Sequence, residues 1–226
     1  MTAIPTIEIT RTLAPFTVRL KCAGALRAQG ETLLDVIQQM HASGALKDGA
    51  SLRVAGLDLR LQTATQTASV STAKAPEIAT VLDVCEPNFD APAPQPWRKD
   101  VSATLAWVAA QASLLQRLGV EGREVSLHQS VVLARDALNA RHLQALRSQP
   151  LDDDDSGWCL TAAESDANPD DPDAYIGASV MEILCARPEL GTVLALPPGF
   201  AATFEQHQLV SVFDAQGALC WSESPA

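Results

Sequence analysis

Nine carboxylates crowd into the stretch from Leu151 to Tyr175: Asp152, Asp153, Asp154, Asp155, Glu164, Asp166, Asp170, Asp171 and Asp173, with no lysine or arginine among them. Such side chains can ligate a hard cation, share a proton as an acid–base pair, or meet a basic partner. The cation reading starts well. Asp152, Asp154 and Ser156 take positions 1, 3 and 5 of an EF-hand loop and Gly157 takes position 6. Position 12 then falls on Ala163, with the acid one residue late at Glu164, and the flanks are not helix–loop–helix, so no metal site is expected. An acid–base pair needs partly buried carboxyls with displaced pKa values, and a solvated run of four aspartates supplies no such environment. Concentrating like charges costs stability through self-repulsion, which points to a compensating partner. All nine acids are therefore candidate partner-binding residues.

The charge of the whole chain sharpens this. Of 226 residues, 16 are Lys or Arg and 27 are Asp or Glu, a net charge of −11. Residues 151–226 hold 14 of the acids and one basic residue, Arg187, for a balance of −13, against +2 for residues 1–150. That field repels nucleic acid and anionic lipid and attracts a basic protein surface. Walker, GxGxxG, HExxH and GxSxG motifs are absent, and His41, His128, His142 and His207 lie far apart. No enzyme activity and no cofactor is expected. Cys22, Cys85, Cys159, Cys185 and Cys220 are scattered singly without a CxxC pair, and MTAIPTIEITRT is not ordered as a secretory signal. Reduced thiols in the cytoplasm are the expectation, with no membrane-spanning segment.

The elements that must position these residues are an α+β set: mixed or antiparallel sheets with a few packed helices, in one domain or two closely packed subdomains. Strands are expected at 7–9 and 16–22, a helix over 31–42, a hairpin over 52–61 and another strand at 78–84. Three prolines within Asn88–Pro96 break the chain. An N-terminal α+β region (1–90) and a second α+β domain (100–226) follow, and a single domain with a long surface loop stays open as the other arrangement. The strongest helix runs from Val101 to Leu118, capped by Asp100 or Ser102, with Val101, Leu105, Val108, Ala112, Leu115 and Leu118 on one face. It is expected to pack against the C-terminal strands. Beyond it come a strand over 125–133, an ambiguous segment 138–147, a strand at 156–161 and a helix over 178–186. A closing meander takes 200–205, 209–213 and 219–221.

Asp155-Ser156-Gly157-Trp158 opens a segment with a recognisable order. The acidic stretch follows, then the short helix 180–185, Arg187-Pro188-Glu189-Leu190 and Leu196-Pro197-Pro198-Gly199-Phe200. This segment resembles the thirty-third numbered family of bacterial immunity proteins, formerly a domain of unknown function, over roughly the last 95 residues. Ser130-Val131-Val132-Leu133 and Arg147 correspond to the strand and arginine that precede DSGW there, and Cys85-Glu86-Pro87-Asn88-Phe89-Asp90 resembles a feature of longer members. The resemblance implies a protein that binds and neutralises a cognate antibacterial toxin, an effector of a type VI or other contact-dependent secretion system encoded by a neighbouring gene. Occlusion of the toxin's active site is the expected mode, since it needs neither nucleophile nor cofactor. Within this segment Gly157 is expected to serve the fold through its backbone freedom and Trp158 as a core anchor, with the acids beside them as contact surface. Two alternatives stand against it: an adaptor or chaperone that loads such an effector, and a small carboxylate-dependent hydrolase.

Overall fold

Alternation from Phe16 to Cys22 puts Val18, Leu20 and Cys22 on one side of strand β2 (Phe16–Ala23), where all three are fully buried. The computed structural model describes residues 5–64, 80–90, 97–164 and 171–223. Strand β1 (Thr6–Leu13) pairs antiparallel with β2 along its whole length. Helix α1 (Arg27–Ala42) presses Leu33, Leu34 and Ile37 into the same core. It starts four residues earlier than its expected first residue, Glu31, because Gly30 serves packing rather than termination. A Cβ at Gly30 would sit 3.0 Å from the Ile9 Cδ1 and 3.2 Å from Leu20, so its absence lets the helix approach the sheet closely.

Strands β3 (Ser51–Val54), β4 (Leu57–Thr63), β5 (Thr80–Pro87) and β6 (Trp97–Arg98) complete this first sheet. Its order is β1-β2-β5-β4-β3, with β6 on β5, and the β2–β5 pairing is parallel. Ile78, the expected start of β5, lies outside the described residues.

Helix α2 (Ser102–Leu118) has its first backbone donors met by acids. The Ser102 N–H donates to Asp100 at 3.0 Å and the Thr104 N–H to the buried Glu86 at 2.8 Å, which satisfies groups that no helix can satisfy itself. Val101 and Leu105 consequently join the apolar core beneath the first sheet rather than the C-terminal strands. In the second half of α2, the Gln111 side chain donates to the Gly191 carbonyl at 2.7 Å and Leu114 is buried. Ala112, expected inside, is exposed.

The C-terminal sheet contains β7 (Ser130–Ala134), β8 (His142–Arg147), β9 (Asp155–Ala162), β10 (Tyr175–Ser179), β11 (Ala201–Glu205), β12 (Gln208–Phe213) and β13 (Leu219–Ser222). Their order is β10-β7-β9-β8-β11-β12-β13, with β7 and β9 parallel and the other pairings antiparallel. Helix α3 (Val180–Ala186) opens with a capping box between Ser179 and Glu182, so it starts at 180 and not 178. Strand β7 starts at Ser130 and not 125, because Ser126 and Gln129 close a turn through N–H···O bonds of 2.9 and 3.1 Å. The chain folds as two compact units. The first is Met1–Val54, Asp58–Asn88 and Ala93–Ala109, and the second is Ala55–Leu57, Phe89–Pro92 and Ala110–Ala226.

Asp83, buried on β5, pairs with Arg19 and with Lys99 at 2.8 Å. Burial pushes its carboxyl upward, but the bonds and charges of Arg19 and Lys99 outweigh that and hold it below the ordinary aspartate value. Its contribution is therefore complete above the unfolded pKa of about 3.9 and is lost as pH falls through the lower folded value. In urea titrations Asp83→Asn should lower stability at pH 7 by about 1.5–3 kcal/mol, with the gap to wild type closing in acid below about pH 4. A gap that does not change with pH would show that the carboxylate charge is not what stabilises the site.

Candidate protein-binding face

Each residue of the DSGW segment has a local task. The Asp155 carboxylate accepts from the Gly157 N–H at 2.8 Å and the Leu151 N–H at 2.9 Å, closing the turn ahead of β9. The Ser156 hydroxyl donates to the Ser130 carbonyl at 2.6 Å and accepts from the Trp158 N–H at 3.2 Å, tying β9 to β7. Gly157 has φ +76°, and a Cβ there would lie 2.3 Å from the Ser148 carbonyl oxygen, so no other residue fits. Trp158 is buried, and its indole N–H donates to the Leu194 carbonyl at 3.2 Å.

Arg147 binds these pieces together from β8. It is 1% exposed, and its guanidinium pairs with no carboxylate among the described residues. Its Nε donates to the Ser156 carbonyl at 3.2 Å, and Nη1 donates to the carbonyls of Arg123 (3.0 Å), Leu194 (2.9 Å) and Leu196. The guanidinium lies 5.8 Å from the centre of the Trp158 ring. Burial, and to a lesser degree Arg123, pulls its pKa down to about 10, so it remains a cation at neutral pH. Arg187, the one basic residue of the acidic third, is also buried. It donates to the carbonyls of Leu138, Ala140 and Gln206 and pairs with Glu189.

The carboxylates fall into two groups at opposite ends of the sheet. Asp152, Asp153 and Asp154 are exposed in the turn before β9, at the Ser130 end of β7, and Asp155 is half-buried beside them. Glu164, Asp171 and Asp173 are exposed at the other end, where the Ala163 N–H meets the His142 carbonyl and Arg135 meets the Asp173 carbonyl. The eight residues of β9 separate the groups by roughly 25 Å. Asp166 and Asp170 lie outside the described residues. Positions 4 to 11 of the calcium-type loop are β9 itself, so that segment is strand rather than ion-binding loop. Among the described residues, no three His, Cys, Asp or Glu side chains are placed to hold a metal ion.

Two concave features lined by described residues hold no acids. A cleft of about 230 Å³ is lined by Ala110, Ser113, Leu114, Arg117, Thr192, Leu209 and Trp221. An apolar void of about 10 Å³ against Trp158 has room for no ligand. His142 faces Glu164 at 3.2 Å on open surface, and His207 faces Glu189 at 3.2 Å. Burial pushes the Cys159 and Cys185 thiols above their ordinary pKa, away from reactive thiolate.

Residues 110–215 match the family model described as Imm33-like domain. The match starts inside α2, upstream of the resemblance seen from DSGW, and stops before β13. The C-terminal part of the chain is thus similar to immunity proteins of this family. No curated protein and no solved structure matches the chain.

Arg147→Met keeps the length and the apolar contact with Trp158 but strips the donors from four carbonyls. It should destabilise the protein by about 3–5 kcal/mol in urea unfolding, against about 2 kcal/mol for Arg147→Lys, which keeps a point charge without the fork. Equal and near-neutral values for both would remove Arg147 from its role as the organising contact.

Proposed function

We propose, from the premise of an Imm33-like domain over residues 110–215, that this protein is an immunity protein that binds a cognate antibacterial toxin and occludes its active site. The observation that carries the reading is where the match falls. It lies on the part of the chain that concentrates negative charge, with 14 acids and one basic residue over 151–226. That basic residue, Arg187, is buried, so the stretch itself brings no Lys or Arg to its described surface, and Arg141 from outside it pairs with Glu205 alone of the described acids at 3.0 Å. A toxin with a basic active-site cleft, such as a nuclease or an NAD-consuming enzyme delivered by a type VI or other contact-dependent system, is the partner such a surface meets. The action belongs in the cytoplasm of the producing cell.

The acids at each end of the sheet supply steering. Asp152, Asp153, Asp154, Glu164, Asp171 and Asp173 are the exposed members, with Asp166 and Asp170 adding to the charge of the segment and Asp155 already engaged within its turn. An effector-loading adaptor is the second reading, favoured by the same acidic surface. Co-expression decides between them: toxicity inside the cell is relieved by an immunity protein and not by an adaptor.

The two acidic groups stand farther apart than the Debye length of about 8 Å at physiological salt, so they act separately. Asp152→Asn with Asp153→Asn, and Asp171→Asn with Asp173→Asn, should each slow association with the effector encoded by the neighbouring gene. The larger effect, several-fold at low salt, belongs to the pair nearer the partner, and it should shrink as salt rises while dissociation changes less. Association rates equal to wild type for both pairs at both salts would reduce the acids to solubilising groups.

A further inference from the structure

The strand register places one unexpected row on the face of the C-terminal sheet opposite Trp158. Gly177 pairs with Val132, Val132 with Cys159, Cys159 with Leu146, Leu146 with Ala201, Ala201 with Phe213 and Phe213 with Leu219. Residues so paired share a face, so these seven form one line across all seven strands, roughly 28 Å long at the usual strand spacing. Nothing in the line is charged or carries a hydroxyl or amide side chain. Val132 and Leu146 are each 45% exposed and Leu219 is 57% exposed. A Cβ at Gly177 would meet nothing within 4 Å.

The adjacent rows show why this line is unusual. The neighbouring core row, Leu133, Leu160, Ala145, Ala202 and Val212, is buried as a one-sided antiparallel sheet requires. The next row on the open face is polar in the ordinary way, with Gln144 opposite Thr203, Thr203 opposite Ser211 and Ser211 opposite Ser222. Val132, Leu146 and Leu219 therefore stand where alternation calls for polar side chains, and the described residues leave them uncovered.

Charge identifies the occupant. Across all seven strands the only Lys or Arg is Arg147, and it is buried on the opposite side. The acidic turns at 152–154 and at 164, 171 and 173 bracket the apolar line from the two strand ends. Arg135 and Arg141 stand beside the second group, where Arg141 pairs with Glu205 of the open face at 3.0 Å, so the turn at 152–154 is the more strongly acidic end. We propose that this row is the docking strip for a protein partner whose contact face has an apolar centre flanked by lysine or arginine. The proposal rests on the reading of the chain as a protein-binding module and names the surface that module uses. A second copy of the chain does not fit, since it would set two acidic rims against each other. The acids then govern the encounter, and the apolar row holds the complex once formed.

The test uses the full chain and an inactivated form of the effector encoded by the neighbouring gene. The variant Val132→Thr, Leu146→Gln, Leu219→Ser alters only exposed side chains, so its melting temperature should stay within about 2 °C of wild type. Its complex should dissociate about tenfold faster or more, with association little changed. Equal dissociation rates for variant and wild type would overturn the docking strip while leaving the immunity reading intact. If wild type itself fails to bind the effector, the immunity reading fails, and a second measurement decides the strip. A photoreactive benzoylphenylalanine in place of Leu146, in the producing cell, is compared with one in place of Ala112. An adduct specific to Leu146, joined through a Lys- or Arg-flanked segment of another protein, supports the strip. An adduct between two copies of this chain, or none above the Ala112 control, overturns it.

Discussion

The C-terminal unit depends on a buried cation held by backbone carbonyls in place of a carboxylate. Desolvating a guanidinium is costly, and an isolated ion in an apolar core would not persist. Arg147 persists because four carbonyls, from Arg123, Ser156, Leu194 and Leu196, turn their dipoles toward it and the Trp158 ring lies alongside. Buried carbonyls need donors as much as the cation needs acceptors, so each satisfies the other. The fork of a guanidinium is the one side chain that can reach several carbonyls in a plane at once. Through it the segment before β7, the start of β9 and the loop after α3 are set in one geometry.

The same economy of charge explains the surface. Arg187 is the sole basic residue among the last 76, and it is turned inward to hold the carbonyls of Leu138, Ala140 and Gln206. Both arginines do structural work with backbone partners and are not available to the exposed carboxylates, of which Glu205 is met instead by Arg141. In the first unit the pattern is reversed. Buried acids, Asp83 and Glu86, hold Arg19, Lys99, Arg98 and the first turn of α2. Burial raises the Glu86 carboxyl, while the Thr104 and Arg98 bonds oppose that rise. A C-terminal unit whose aspartates at 152–154 stand exposed with no ion pair among the described residues is suited to meeting a partner of opposite sign.

Much of this is legible in the residues, for identifiable reasons. The α+β class, α2 and the closing meander follow from periodicities of 3.6 and 2, and Trp158 and Gly157 are readable as structural from DSGW. Gly30 hides the start of α1, because a glycine that permits close packing looks the same in sequence as one that ends a helix. Strand β10 does not stand out, since Tyr175-Ile176-Gly177-Ala178-Ser179 has no clear alternation and gains its identity from pairing with β7. The Ser179–Glu182 capping box is present in the sequence and marks the start of α3 more closely than apolar periodicity does. The clamp at Arg147 is out of reach, because its partners are main-chain carbonyls brought together only by the fold. Likewise, the apolar row across β10 to β13 is a product of register, with at most one member visible in any single strand.

The central claim is that the protein acts by occupying its partner and not by turning anything over. Its most direct test is to titrate purified protein into the activity assay of the effector encoded by the neighbouring gene. The account predicts that effector activity falls linearly and is abolished at one equivalent, with the same endpoint after short and long incubation. Loss of activity at far less than one equivalent, deepening with time, would contradict it and make the protein a catalyst acting on the effector or its product. Full activity at several equivalents would contradict it as well, leaving an adaptor in place of an inhibitor.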